Sequence, residues 1–165
     1  MSWVFCVAEN ISFRLIKKLD LHKNYSILFG ASELWSDSNS DFSCVEVPDE
    51  FLYRFFPETA TIKTFACSLA MPLRGIDHCG VTLIPPESAE ELLNAIISRK
   101  NNPSSLETEE IICLLQDTAL KNAAHELAKE IKAVQSIPLE YSTDELEAVL
   151  GKAVHEKLFV ICFGL

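Results

Sequence analysis

The sequence predicts an α+β fold: a mostly antiparallel sheet of five to six strands, with helices packed on at least one face. Two observations carry this. Gly80–Lys100, GVTLIPPESAEELLNAIISRK, reads as a strand running into a helix. Trp3–Ala8 and Leu158–Phe163 are continuously apolar, as inner strands buried on both faces would be. The 165 residues are expected to form one domain, residues 1–165.

After Trp3–Ala8, Asn10 or Ser12 is placed to cap a short helix that buries Ile11, Leu15 and Leu19. Tyr25–Phe29 reads as a strand ended by Gly30, and WSDSNSD as a surface loop. Ser43–Val47 is a short strand closed by Pro48. Asp49 then caps a brief helix through Phe56, stopped by Pro57. Ile62–Met71 alternates, with Phe65, Cys67, Leu69 and Met71 on the expected core face. Leu73–Cys79 is expected to be a connection, with Gly75 as its turn residue.

In the strand–helix unit, Pro85 and Pro86 end the strand because neither can donate to a ladder. Ser88 with Glu91 makes a capping box, and Leu92, Leu93, Ile96 and Ile97 supply the apolar face. Asn101-Asn102-Pro103 breaks the chain, and Ser104 with Glu107 makes a second box. Ile112, Leu115, Ala119, Ala123, Leu127, Ile131 and Val134 then keep helical steps. One straight helix there would be about 45 Å long, so a break is expected near Asp117–Asn122. After Pro138, Ser142 with Glu145 makes a third box, and Leu146, Val149, Leu150 and Ala153 form a buried stripe. The expected core draws on Val4, Phe5, Val7, Leu28, Phe65, Leu69, Val81, Leu83, Leu93, Ile96, Leu115, Leu127, Val149, Phe159 and Ile161.

Composition narrows the partners. Apolar residues are 48% and charged residues 23%, as in ordinary globular proteins. A net charge of −10 argues against nucleic acid and anionic membrane surfaces. The opening MSWVFCVAEN lacks a basic n-region, and no stretch reaches the roughly 18 apolar residues of a spanning helix. The expected location is the cytoplasm. The six cysteines form no C-x-x-C pair and lie mostly in apolar runs, so reduced thiols are expected.

Reactive chemistry is sparse. Asp37-x-Asn-x-Asp41 begins like a calcium loop. Phe42 stands where the glycine is needed, and Pro48 where a bidentate Glu is needed. It reads as a solvated turn. His78-Cys79 is the one adjacent imidazole and thiol, and His22, His125 or His155 could supply a base. The plainer reading is a loop histidine followed by a cysteine entering a strand. No catalytic residue, metal site or cofactor is assigned.

The sharpest asymmetry is charge. Between Lys23 and Arg54 there is no basic residue, while Glu33, Asp37, Asp41, Glu46, Asp49 and Glu50 all fall there, with Trp35 among them. These seven form the candidate partner-binding set, a negative surface that would meet a basic protein. The alternative is a solvated loop that keeps the chain soluble. Glu140, Asp144, Glu145 and Glu147 form a second cluster that serves a helix N-terminus.

At GVTLIPPES, Gly80–Ser88, the chain resembles small acidic bacterial immunity proteins of contact-dependent and other polymorphic toxin systems. The resemblance covers these nine residues and a general profile. It implies tight, non-enzymatic binding to a cognate, basic toxin domain. Two other expectations stand beside it: a small cytosolic enzyme using Cys79 or His78, and an interaction subunit or homo-oligomer with no chemistry of its own.

Overall fold

A computed structural model describes residues 2–7, 44–66, 72–77, 81–100, 106–116, 121–137 and 142–164. Its strands are β1 (Ser2–Val7), β2 (Cys44–Pro48), β3 (Lys63–Ala66), β4 (Pro72–Arg74), β5 (Val81–Ile84) and β6 (Val160–Gly164). Its helices are α1 (Glu50–Arg54), α2 (Glu58–Thr61), α3 (Pro86–Arg99), α4 (Thr108–Gln116), α5 (Ala124–Ser136) and α6 (Asp144–Glu156), with a 3-10 turn at Lys121–Ala123. The six strands make one sheet in the order β2-β1-β6-β5-β3-β4, and every adjacent pair is antiparallel. The α+β architecture expected from the sequence is present.

β1 and β6 lie side by side in the sheet's interior, with Phe5 opposite Cys162 and Val7 opposite Val160. On one face, Trp3, Phe5, Val7, Val45, Val47, Ile84, Val160 and Cys162 pack against α3 and α6. Val4, Cys6, Leu83 and Ile161 alternate onto the other face and are buried too. That double burial is why both runs read as unbroken apolar stretches. Phe51 of α1 meets Phe5 edge to face, with ring centroids 5.6 Å apart. A second cluster gathers Phe56, Ile111, Leu115, Ala124, Ala128 and Ile131 between α4 and α5.

Several sequence expectations shift in detail. Thr64, not Phe65, is the buried position of β3, and Phe65 is half-buried. The Thr64 hydroxyl donates to the Gly75 carbonyl at 2.5 Å, so a polar residue is satisfied in the core. Pro72–Arg74 is a strand rather than a connection, because it pairs with β3. Gly75 closes it at φ +77°, where an added Cβ would lie 2.6 Å from the Ala60 carbonyl oxygen. α3 begins two residues before Ser88, since Pro86 suits the first helical position and Pro85 the extended residue before it. Ser88 therefore does not cap α3; its hydroxyl donates to the Lys63 carbonyl at 2.6 Å. Ile97 is 56% exposed and Leu93 half-buried, while Ala89, Leu92, Ala95 and Ile96 make the contact face.

The long helical pattern divides as expected, with α4 ending at Gln116 and α5 starting at Ala124. The buried stripe of α5 is Ala124, Ala128, Ile131 and Gln135, one residue out of phase with the expected Ala123, Leu127 and Val134. The expected stripe of α6 is buried in full. Thr143, not Ser142, occupies the N-cap position, and its hydroxyl donates to Glu147 Oε1 at 2.5 Å. Val81 and Leu127 of the expected core are half-buried. The elements expected over 10–30, with Leu28, and Leu69, Ser104 and Ala119 lie outside the described residues.

A polar joint ties the α1–α2 turn to α3 and α5. Arg54, 8% exposed, donates to the carbonyls of Val134 (3.3 Å), Gln135 (2.9 Å) and Ile137 at the end of α5. A cation at a helix C-terminus is favoured by the dipole and the free carbonyls. Gln135 Nε2 donates back to the Tyr53 and Phe56 carbonyls, each at 3.2 Å. Arg99 donates to the Phe56 carbonyl at 2.8 Å and pairs with Glu58 at 2.6 Å.

The thiol expectation is corrected. Cys6 and Cys44, opposite one another on β1 and β2, form a disulfide. Cys113 is free and exposed, Cys162 free and buried. Cys67 and Cys79 lie outside the described residues. Strand pairing brings Cys6 and Cys44 together across 38 residues, which no local spacing could announce.

Two outcomes follow. Cys6→Ser with Cys44→Ser frees a loop of 38 residues in the unfolded chain. Chain entropy puts the loss at up to about 4 kcal/mol, read as a lower urea midpoint that added dithiothreitol reproduces in the parent protein. Burial raises the Glu58 carboxyl above its ordinary value of 4.5, outweighing the pull of Arg99. A raised acid favours the fold when protonated. Its contribution is full below pH 4.5 and lost as pH rises through the raised value. Glu58→Gln should therefore gain stability relative to the parent as pH rises through that window, measured by paired denaturant titrations.

Candidate interaction surface

The acidic set maps in part onto the corner where β2 meets α1. β2 alternates: Val45 and Val47 are buried against the helix layer, and Glu46 between them is exposed. Period-two geometry requires this, since successive side chains leave a strand on opposite faces. Pro48 ends the strand, and Asp49 and Glu50 lead into α1. Glu50 is exposed in the first turn, where a carboxylate suits the helix dipole.

Asp49 has a different role from its neighbours. It occupies the N-cap position of α1 without making a side-chain cap bond. Its Oδ1 instead accepts a hydrogen bond from the Trp3 indole N–H at 2.8 Å. Trp3 is 2% exposed, and a buried indole N–H needs such an acceptor. Asp49 thus ties the β2–α1 corner to β1. Glu46 and Glu50 form no ion pair with a described cation. Glu33, Trp35, Asp37 and Asp41 lie outside the described residues.

The second acidic cluster is engaged by the protein itself. Lys100 Nζ, at the end of α3, binds Asp144 Oδ1 at 2.6 Å and Glu147 Oε1 at 3.0 Å on α6. These bonds hold the Asp144 carboxyl below its usual range and raise the Lys100 ammonium. The Asp144 backbone N–H donates to the Ser142 hydroxyl at 3.1 Å. Glu140 lies outside the described residues.

Other candidates contribute little. His125 and His155 are exposed on helices, and His22, His78 and Cys79 lie outside the described residues. Burial pushes the Cys162 thiol well above its ordinary pKa, so it stays protonated. Among the described residues, no three His, Cys, Asp or Glu side chains are grouped to hold a metal ion. None of the described helices is long and apolar enough to cross a membrane. A crevice of about 270 Å³, including its open mouth, is lined by Leu52, Tyr53, Phe56, Leu115, Leu127 and Ile131. Burial raises the Tyr53 phenol, and the charges of Glu130 and Asp49 add to it.

Comparison with protein-family models, with curated proteins and with solved structures finds no match to this chain. The sequence signalled the carboxylates. It held no sign that β2 lies at the rim of the sheet, because strand order follows from long-range pairing.

Asp49→Ala removes a charge-assisted acceptor from a buried indole. Stability should fall by about 1–3 kcal/mol. A double-mutant cycle with Trp3→Phe should recover a coupling of comparable size, and additive losses would place the Trp3 bond elsewhere.

Proposed function

We propose that this chain is a non-enzymatic protein-binding protein that receives a basic partner at the β2–α1 corner. The supporting observation is a contrast among its carboxylates. Glu58, Asp144 and Glu147 are held by Arg99 and Lys100. Glu46 stands exposed on the last strand of the sheet order and Glu50 in the first turn of α1, and among the described residues neither has such a counter-ion. The 30 residues between Lys23 and Arg54 carry six acids and no base, and Arg54 itself is committed to the α5 carbonyls.

Charge of one sign at a rim raises the encounter rate with the opposite sign and disfavours anionic competitors. Under the immunity reading, the partner is a cognate basic toxin domain kept inactive in the cell that makes both. Glu33, Trp35, Asp37 and Asp41 would extend the same surface.

Glu46→Lys with Glu50→Lys tests this. Both side chains are exposed, so the melting temperature should hold. Association with a basic partner captured by the parent protein at low salt should slow about tenfold or more, and its salt dependence should flatten. Unchanged capture would remove this corner from the interface.

A further inference from the structure

The geometry points to the outer edge of β2 as the docking strand for an extended basic segment of another protein, added antiparallel to the sheet with a Lys or Arg opposite Glu46. This deepens the reading above and rests on it. Cys6 and Cys44 have Cα atoms 4.1 Å apart. That is the narrow, non-hydrogen-bonded spacing of an antiparallel pair, near 4.5 Å rather than about 5.5 Å. The alternation then fixes its neighbours. Val45 opposite Phe5 and Val47 opposite Trp3 are hydrogen-bonded pairs, and Glu46 opposite Val4 is not.

The N–H and carbonyl of Glu46 consequently point away from β1. β2 ends the strand order, and among the described residues nothing pairs with its outer side. Glu46 is itself exposed on this last strand of the described sheet. An unpaired strand edge is a ready template for another strand. The other rim is guarded: β4 has three residues, opens with an exposed proline and carries exposed Arg74 opposite exposed Lys63.

Charge and register select the occupant. A residue paired with Glu46 across the new ladder lies on the same face, where opposite charges attract. Its neighbours fall beside Val45 and Val47 and extend the apolar layer they begin. The segment is therefore apolar–basic–apolar.

The test uses the whole protein with two synthetic peptides. One is acetyl-Val-Lys-Val-Lys-Val-Lys-amide. The other is N-methylated at each lysine, which keeps the charge and removes the donors that would face Glu46. Binding is followed by calorimetry at low salt, and amide exchange at Glu46 by NMR. Expected are about tenfold weaker binding on methylation and about tenfold slower Glu46 exchange on saturation with the first peptide. Glu46→Pro, which deletes an outward donor and no ladder bond, should abolish binding with its melting temperature near the parent value.

Equal binding of both peptides with unchanged Glu46 exchange overturns strand addition and leaves acidic docking standing. Binding of neither peptide overturns the proposal. If Glu46→Lys with Glu50→Lys also leaves partner capture unchanged, the reading beneath it falls too. Concentration-dependent self-association in light scattering, abolished by Glu46→Lys, would give the edge to a second copy of this chain and overturn the basic segment.

Discussion

The pairing of β1 with β6 is the constraint on which the rest depends. It joins residues 3–7 to residues 160–164 in the interior of the sheet. The flanking strands are placed outward from this pair, β2 on one side and β5 on the other. The contact spans almost the whole described chain. The loop entropy of closing it must be met by burial on both faces. Phe5, Val160 and Cys162 toward the helices, and Val4 and Ile161 away from them, supply that burial.

The α1–α2 turn is the second organising feature. α1 is only five residues long, too short to be stable alone. It is held by packing, with Phe51 and Phe55 in the main core and Phe56 in the second cluster. Polar bonds hold it as well: Arg54 donates to α5 carbonyls, Gln135 of α5 donates back to the Tyr53 and Phe56 carbonyls, and Arg99 reaches in from α3. Two apolar clusters are thereby joined by a turn whose own carbonyls are satisfied by buried side chains. The exposed β2–α1 corner rests on this frame, and Asp49 fastens the corner to Trp3.

The carboxylates of this acidic chain are divided by context. Asp144 and Glu147 help fasten α6 to α3 through Lys100. Glu58 is half-buried beside Arg99, with one oxygen lacking a hydrogen-bond partner. Asp49 serves the sheet. What remains, exposed and without an ion pair among the described residues, is Glu46 on β2 and Glu50 in the first turn of α1. Composition treats these acids alike, but surroundings assign them different work.

Sequence alone determined the class of fold, the buried stripe of α6, the break between α4 and α5 and the interior placement of β1 and β6. Each is written in local periodicity or in unbroken apolar runs, which depend on near neighbours. Tertiary structure alone decided that Thr64 is buried rather than Phe65, that Ser88 binds Lys63 rather than capping α3, and that Cys6 meets Cys44. It also decided that Glu46 sits on the last strand of the described sheet. A hydroxyl, a thiol or a carboxylate takes its role from whatever the fold brings against it, and those partners come from elements far away in the chain.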